Sequence, residues 1–248
     1  MKKAATATAG TEVMKSAVAV QRRVTEQDGA AATTLMQDAY RQLEEMIVTA
    51  ELAPGEVVSE AILSRRIGIG TTPIREALHR LSREYLVQIM PRRGVVVTPV
   101  DVGLQFQVLE TRREVDRLIA RSAAQRATAA EREAIAVLAT AIEETVAHSD
   151  VPAFLRLDAQ RSRCVAYSAR NSVAASIATT LHAASRRFWF CHLDEDRQLL
   201  DTARLHLAVA RAVVVGDADA AGKASEELID YMLAFAKATL PGASSPAP

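Results

Sequence analysis

The chain has 248 residues, 30 basic and 30 acidic side chains, a formal net charge of zero and two cysteines. Such a length holds one large domain or two smaller ones. The charge balance excludes a globally basic nucleic-acid coat, so any polyanion-binding face must be local. Cys164 and Cys191, with no CxxC pair, exclude a disulfide framework and a structural zinc finger.

Hydrophobic residues make up 49% but aromatics only 4%, and alanine crowds the second half. That mixture favours helices packed through small and aliphatic side chains. No apolar run approaches the roughly 18 residues of a membrane span, and MKKAATATAG lacks the apolar centre of a signal peptide. A soluble, cytoplasmic protein is expected.

Residues 1–31 carry no sustained apolar stripe and read as a flexible tail, in which Lys2, Lys3, Lys15, Arg22 and Arg23 are available to a phosphate backbone. From Met36, the spacing of Tyr40, Leu43, Ile47 and Ala50 predicts a helix to about Glu51, stopped by Pro54-Gly55. Ser59 caps a second helix, Glu60 to about Ile67, with Ile62 and Leu63 facing inward. Gly68 and Gly70 then make a tight connection to a third helix, about Thr72 to Glu84, with Pro73 in its first turn. Its apolar face is Ile74, Ala77, Leu78 and Leu81. Two extended runs, Leu86–Met90 and Val95–Thr98, flank Pro91-Arg92-Arg93-Gly94 and read as a β-hairpin with a basic tip.

Three helices and a hairpin, with a short turn between the second and third helices, make a winged helix-turn-helix over residues 32–100. Thr71, Thr72, Arg75, His79 and Arg83 lie off the apolar face of the third helix, where they can enter a major groove. From Arg65 to Arg93, seven arginines (65, 66, 75, 80, 83, 92 and 93) stand against Glu76 and Glu84. Such a local excess is the footprint expected of phosphate binding.

Residues 101–240 read as helices only. Leu104, Val108, Val115, Leu118 and Ile119 mark the first, to about Ala127. Thr128-Ala-Ala-Glu131 is a capping box for the second. Asp150 with Pro152 opens the third, Asn171 precedes the fourth, the fifth spans about Asp196–Val215, and a sixth follows Gly216 to about Leu240. The fold class is therefore mainly α: a winged helix-turn-helix, then an all-α six-helix bundle able to enclose a cavity. PGASSPAP, residues 241–248, is expected to be disordered.

These residues together resemble GntR-superfamily transcription regulators of the FadR-like branch, which carry an FCD domain. The N-terminal resemblance rests on Leu52-x-Pro54-Gly55, Ser59-Glu60, Gly68, Thr72-Pro73-Ile74-Arg75-Glu76-Ala77-Leu78, Leu81 and Arg92-Arg93-Gly94. The looser C-terminal one rests on Glu110-x-Arg112, Ala123-Ala124, Asp158, Asn171, Arg187-Phe188-Trp189, His206 and Gly216-Asp217. It implies a homodimer that binds operator DNA and answers to a small effector, with Arg65, Thr71, Thr72, Arg75, His79, Arg92, Arg93 and Gly94 at the DNA. Arg112, Asp158, Ser162, His206 and Leu228 would face the effector.

Two departures from the family pattern follow. The recognition helix commonly opens Ser-Arg-Thr-Pro, and here reads Gly70-Thr71-Thr72-Pro73, so Gly70, Thr71 or Thr72 must replace the cap and a different operator core is expected. Many FCD domains hold a divalent metal with one Asp and three His. Here Asp158 and His206 remain, but Ser162 and Leu228 occupy the other two positions. The metal site looks degraded, and no cofactor is expected unless His182, His192 or Cys164 reach the cavity. Arg112 would then grip a carboxylate effector, or else make a salt bridge to a neighbouring helix. Asp158 and His206 would pair or bind a polar group. Phe188, Trp189 and Phe190 read as core or dimer interface, and Leu228 suggests an effector with an apolar portion. Thr98–Gly103 is the expected relay between domains. Beside the effector-controlled regulator stand two alternatives: a constitutive DNA-binding dimer, and an enzyme using Asp158 and His206 as acid and base.

Overall fold

The computed structural model describes residues 35–91, 93–194 and 196–240. Both expected tails and the wing residue Arg92 lie outside them. Helix α1 (Leu35–Val48) buries Ala39, Tyr40, Leu43 and Ile47, one stripe at helical spacing. After strand β1 (Val57–Val58), α2 (Glu60–Ile67) starts where Ser59 Oγ accepts from the Ile62 amide and ends at Gly68, φ 76°. Helix α3 (Thr71–Arg83) buries the four expected residues, Ile74, Ala77, Leu78 and Leu81. Its Gly70 N-cap has no side-chain hydrogen bond, so neither Thr71 nor Thr72 replaces the missing serine. Ile62, expected inside, is 49% exposed, because only Leu63 of α2 reaches the core.

The wing is β2 (Val87–Met90) and β3 (Gly94–Val97), in antiparallel register from Val87 opposite Val97 to Met90 opposite Gly94. The hairpin gains a third strand, since β1 pairs with the outer edge of β3, giving the order β1-β3-β2. Gly94 makes that pairing possible. Its φ is 101°, and a Cβ there would stand 2.7 Å from the Val58 carbonyl oxygen.

The bundle comprises α4 (Val102–Arg126), α5 (Ala129–Ala147), α6 (Val151–Ser168), α7 (Ser172–Cys191), α8 (Asp196–Val215) and α9 (Ala218–Ala238). Asp101, Thr128, Asp150, Asn171 and Asp217 cap five of them, Thr128 through a full capping box with Glu131. Helix α4 packs on α9 and α7, and α5 on α6 and α8. Near the start of α5, Arg132 donates to Ala124 O (2.6 Å) and Ala127 O (3.2 Å) of α4 and to Val213 O (2.5 Å) and Val214 O (3.0 Å) of α8. One guanidinium thus satisfies orphan carbonyls at two helix ends. Leu118, expected in the core, is 48% exposed; α4 turns Val108, Leu109, Arg112 and Ile119 inward instead.

Helix α7 carries the winged helix. Ala183 is fully buried within the winged-helix core. Arg186 pairs with Glu44 of α1, and both are nearly solvent-free. Arg187 donates to Thr98 Oγ1 at 2.9 Å and to the Thr98 carbonyl, fixing the start of the inter-domain segment. Arg156 of α6 adds an exposed pair to Glu45 at 3.0 Å.

Replacing Gly94 by alanine forces a methyl group onto the β1 carbonyl in a left-handed conformation. The expected cost is about 2 kcal/mol. Thermal unfolding followed by circular dichroism should show a midpoint lowered by roughly 4–8 °C.

Candidate DNA-binding face and bundle cavity

On α3, Thr71, Thr72, Arg75, His79 and Arg83 are all exposed, on the side away from the core. Arg65 on α2 and Arg93 at the wing tip are exposed too. The seven arginines are not equivalent. Arg66 pairs with Glu51 at 2.6 Å. Arg80 turns inward: its guanidinium lies 3.7 Å from the Tyr40 ring centre and its Nε donates to Glu84 at 3.0 Å. Tyr40 also donates to Glu84 at 2.8 Å. Arg80 therefore braces α3 against α1. Arg65, Arg83 and Arg93 make no ion pair among the described residues.

Arg75 is held between these cases. Its Nε lies 3.0 Å from both Glu60 carboxylate oxygens and its Nη2 lies 2.7 Å from one of them. Glu60 is lowered below the usual carboxylate range, first by that hydrogen bond. The pair orients the guanidinium while leaving Nη1 free for a base edge or phosphate.

The bundle cavity has walls from α4, α6, α7, α8 and α9 and a volume of about 20 Å³, room for about one water. Arg112, Asp158, Ser162 and His206 line it. Leu228 does not; it packs with Leu109, Phe188 and Ile229 in a separate apolar cluster. Arg112 is in an ion pair with Asp116, one turn along its own helix, at 2.9 Å, and not with a neighbouring helix. His182 contacts the other Asp116 oxygen at 2.9 Å.

Buried Arg161 of α6 engages three of the lining residues. Its Nη2 lies 2.7 Å from Asp158 Oδ1, 2.7 Å from His206 Nδ1 and 3.1 Å from Ser162 Oγ. His206 Nδ1 also lies 3.0 Å from Asp158 Oδ1, so the two pair, and Nδ1 stands between a guanidinium donor and a carboxylate acceptor. Burial pushes the His206 and His182 pKa values below 6.5, so both rings are neutral near pH 7. Burial alone would raise the Asp158 carboxyl, but His206 and Arg161 hold it well below the usual range. Asp116 is lowered in the same way by His182 and Arg112.

This donor set does not fit a divalent metal. A guanidinium nitrogen holds the point on which Asp158, Ser162 and His206 converge, and a cation there would meet like charge. Among the described residues no group of three His, Cys, Asp or Glu side chains could hold a metal ion. His182 does reach the cavity, but is committed to Asp116. His192 stacks on Phe188 with ring centres 4.3 Å apart, outside the cavity. The Cys164 thiol is buried, its pKa pushed up to about 11.

Several residues in and around the cavity escaped sequence reasoning. Arg161 sits three residues from Asp158, a spacing that places both on one helix face, and this was the available signal. Asp116 four residues after Arg112 was another. Arg186 had none, because its partner Glu44 lies 142 residues away. Trp189 is buried, as expected of a core residue, but lines the cavity, and its Nε1 has no hydrogen-bond partner.

The chain matches bacterial regulatory proteins of the gntR family over residues 35–97 and the FCD domain over residues 107–231. It is 29% identical over 167 residues to the Nta operon transcriptional regulator of Aminobacter aminovorans, covering 65% of this chain and 76% of that protein. It is 34% identical over 92 residues to the HTH-type transcriptional repressor RspR of Escherichia coli (strain K12), 37% of this chain and 40% of that one. A 68-residue match, 44% identical, relates it to an uncharacterized HTH-type transcriptional regulator of Streptomyces ambofaciens, 27% of this chain and 29% of that one. The matches thus span less than half the length of several of these curated relatives. Among solved structures, E. coli McbR/YncC superposes with a TM-score of 0.71 at 14% identity, over 83% of this chain and 98% of that one. A GntR regulator from Rhodococcus sp. RHA1 gives 0.65 at 17% identity, with the same coverage. These two likenesses concern the fold.

The buried histidines set a pH dependence. Their folded pKa values lie below the unfolded value of 6.5, so the stability they contribute is complete above that pH and is lost as pH falls below it. The unfolding midpoint should fall from pH 7.5 to about 5.5, and replacing His182 and His206 together by Gln should flatten the slope. A midpoint that rises instead would mean that both rings are protonated against their aspartates.

Proposed function

The chain belongs to the gntR family of bacterial regulatory proteins and carries an FCD domain, and from that premise we propose a repressor whose hold on its operator is set by a small organic acid in the bundle. DNA-binding transcription regulation comes with the family, whose members are regulators and not enzymes. The finer reading is supported above all by Arg186, which lines the bundle cavity and forms the buried ion pair with Glu44 of the winged helix. A carboxylate reaching that cavity has Arg186 and the unpartnered Trp189 N–H to bind, and in doing so competes with Glu44. The word repressor in the names of relatives such as RspR supports that sign of control. Two copies reading a two-fold operator is the arrangement that suits one recognition helix per chain.

At the DNA, Arg75 with Thr71, Thr72 and His79 would enter the major groove, and Arg65, Arg92 and Arg93 would neutralise phosphates. Gly94 is better understood as serving the β1–β3 pairing. The closed cavity, with each arginine already paired, favours a second reading: a constitutive DNA-binding dimer. Acid–base catalysis by Asp158 and His206 has no support, since Arg161 engages both.

The test is an operator selected from random-sequence DNA, then titrated at several salt concentrations with and without a panel of mono- and dicarboxylic acids. Arg75→Ala should weaken operator binding about tenfold or more and reduce the salt slope by about one. An acid that releases the wild-type protein supports effector control. Release by none of the panel favours the constitutive reading, and unchanged affinity in Arg75→Ala contradicts the docking.

A further inference from the structure

Between the winged helix and the bundle lies a cleft of about 180 Å³, far roomier than the bundle cavity. Helix α1 forms one wall with Glu44, Glu45 and Val48, and α6 forms the other with Arg156, Gln160 and Arg163. The acidic groups are spoken for: Glu45 pairs with Arg156 and Glu44 with Arg186. Two groups on α6 remain uncommitted. Arg163 has no ion pair or hydrogen bond among the described residues, and the buried Gln160 Oε1 has no partner. They stand three residues apart, on one face of the helix.

An unpaired guanidinium beside an unpaired carbonyl oxygen defines a ligand by complement. The guanidinium takes a carboxylate through two parallel hydrogen bonds. The Gln160 carbonyl oxygen, buried as it stands, takes an O–H or N–H from the adjacent carbon once the amide turns into the cleft. Val48 and Ala159 supply an apolar wall for a short aliphatic substituent. We infer that the cleft is a binding site for a small carboxylate with a neighbouring donor, an α-hydroxy or α-amino acid, held by Arg163 and Gln160. This site is separate from the bundle cavity and does not depend on the effector proposed there. A ligand in it touches α1 and α6 together, so it fixes the winged helix against the bundle.

Thermal unfolding of the full chain with lactate, alanine or propionate tests the inference. Lactate and alanine, at about a hundred times their dissociation constants, should raise the midpoint by roughly 5 °C or more. Propionate, which lacks the donor, should raise it less. Arg163→Gln, on an exposed side chain and checked for native circular dichroism, should abolish the shifts. Gln160→Leu should bring lactate down to the level of propionate. The inference is overturned if no probe shifts the wild type or if the shift survives Arg163→Gln, which leaves the bundle cavity intact.

Discussion

The buried ion pair between Glu44 and Arg186 is the contact on which the relation between the two halves depends. Both side chains are nearly free of solvent, so losing either would strand a charge at a cost of about 3–5 kcal/mol. Glu44 neighbours a second buried polar group in which Tyr40 and Arg80 converge on Glu84. Burial raises the pKa of both the Tyr40 phenol and the Glu84 carboxyl. Arg80 belongs to the recognition helix. Glu44 thus ties α1 to the wall of the bundle cavity, and its charge acts on the Tyr40, Glu84 and Arg80 group at α3.

Charge neutrality inside the bundle gives this path its meaning. Arg112 is matched by Asp116, and Arg161 by Asp158. Both counter-ions come from the bundle. Arg186, which lines the cavity with Arg112, takes its counter-ion from the winged helix. An anion entering the cavity would meet Arg112, satisfied locally, and Arg186, whose release would be felt in the winged helix. Arg161 extends the same logic: a protein cation stands at the point on which Asp158, Ser162 and His206 converge.

Most of the fold was legible in the sequence, because the signals were local. Ser59, Thr128 and Asp150 cap the helices they were expected to open, and α3 buries its four expected residues. Strand β1 was not legible, since two valines acquire strand character only by pairing with β3, nearly forty residues later. The candidate site was half legible. Arg112, Asp158, Ser162 and His206 do share a cavity, but Leu228 lies in another cluster. The distance of Leu228 along the chain from Gly216-Asp217 fixes a position along α9 but not the face that meets the cavity. The reach of Arg161 to His206 and of Arg186 to Glu44 depends on how helices cross, and no short spacing encodes it.

A double-mutant cycle on the full chain tests the central claim most directly. Unfolding free energies of Glu44→Gln, Arg186→Gln and the double variant would be measured by urea denaturation at pH 7. The account expects each single variant to lose about 3 kcal/mol and the double variant to lose clearly less than the sum, a coupling of at least about 1 kcal/mol. Additive losses, with no coupling, would contradict the claim that this pair joins the bundle cavity to the DNA-binding half.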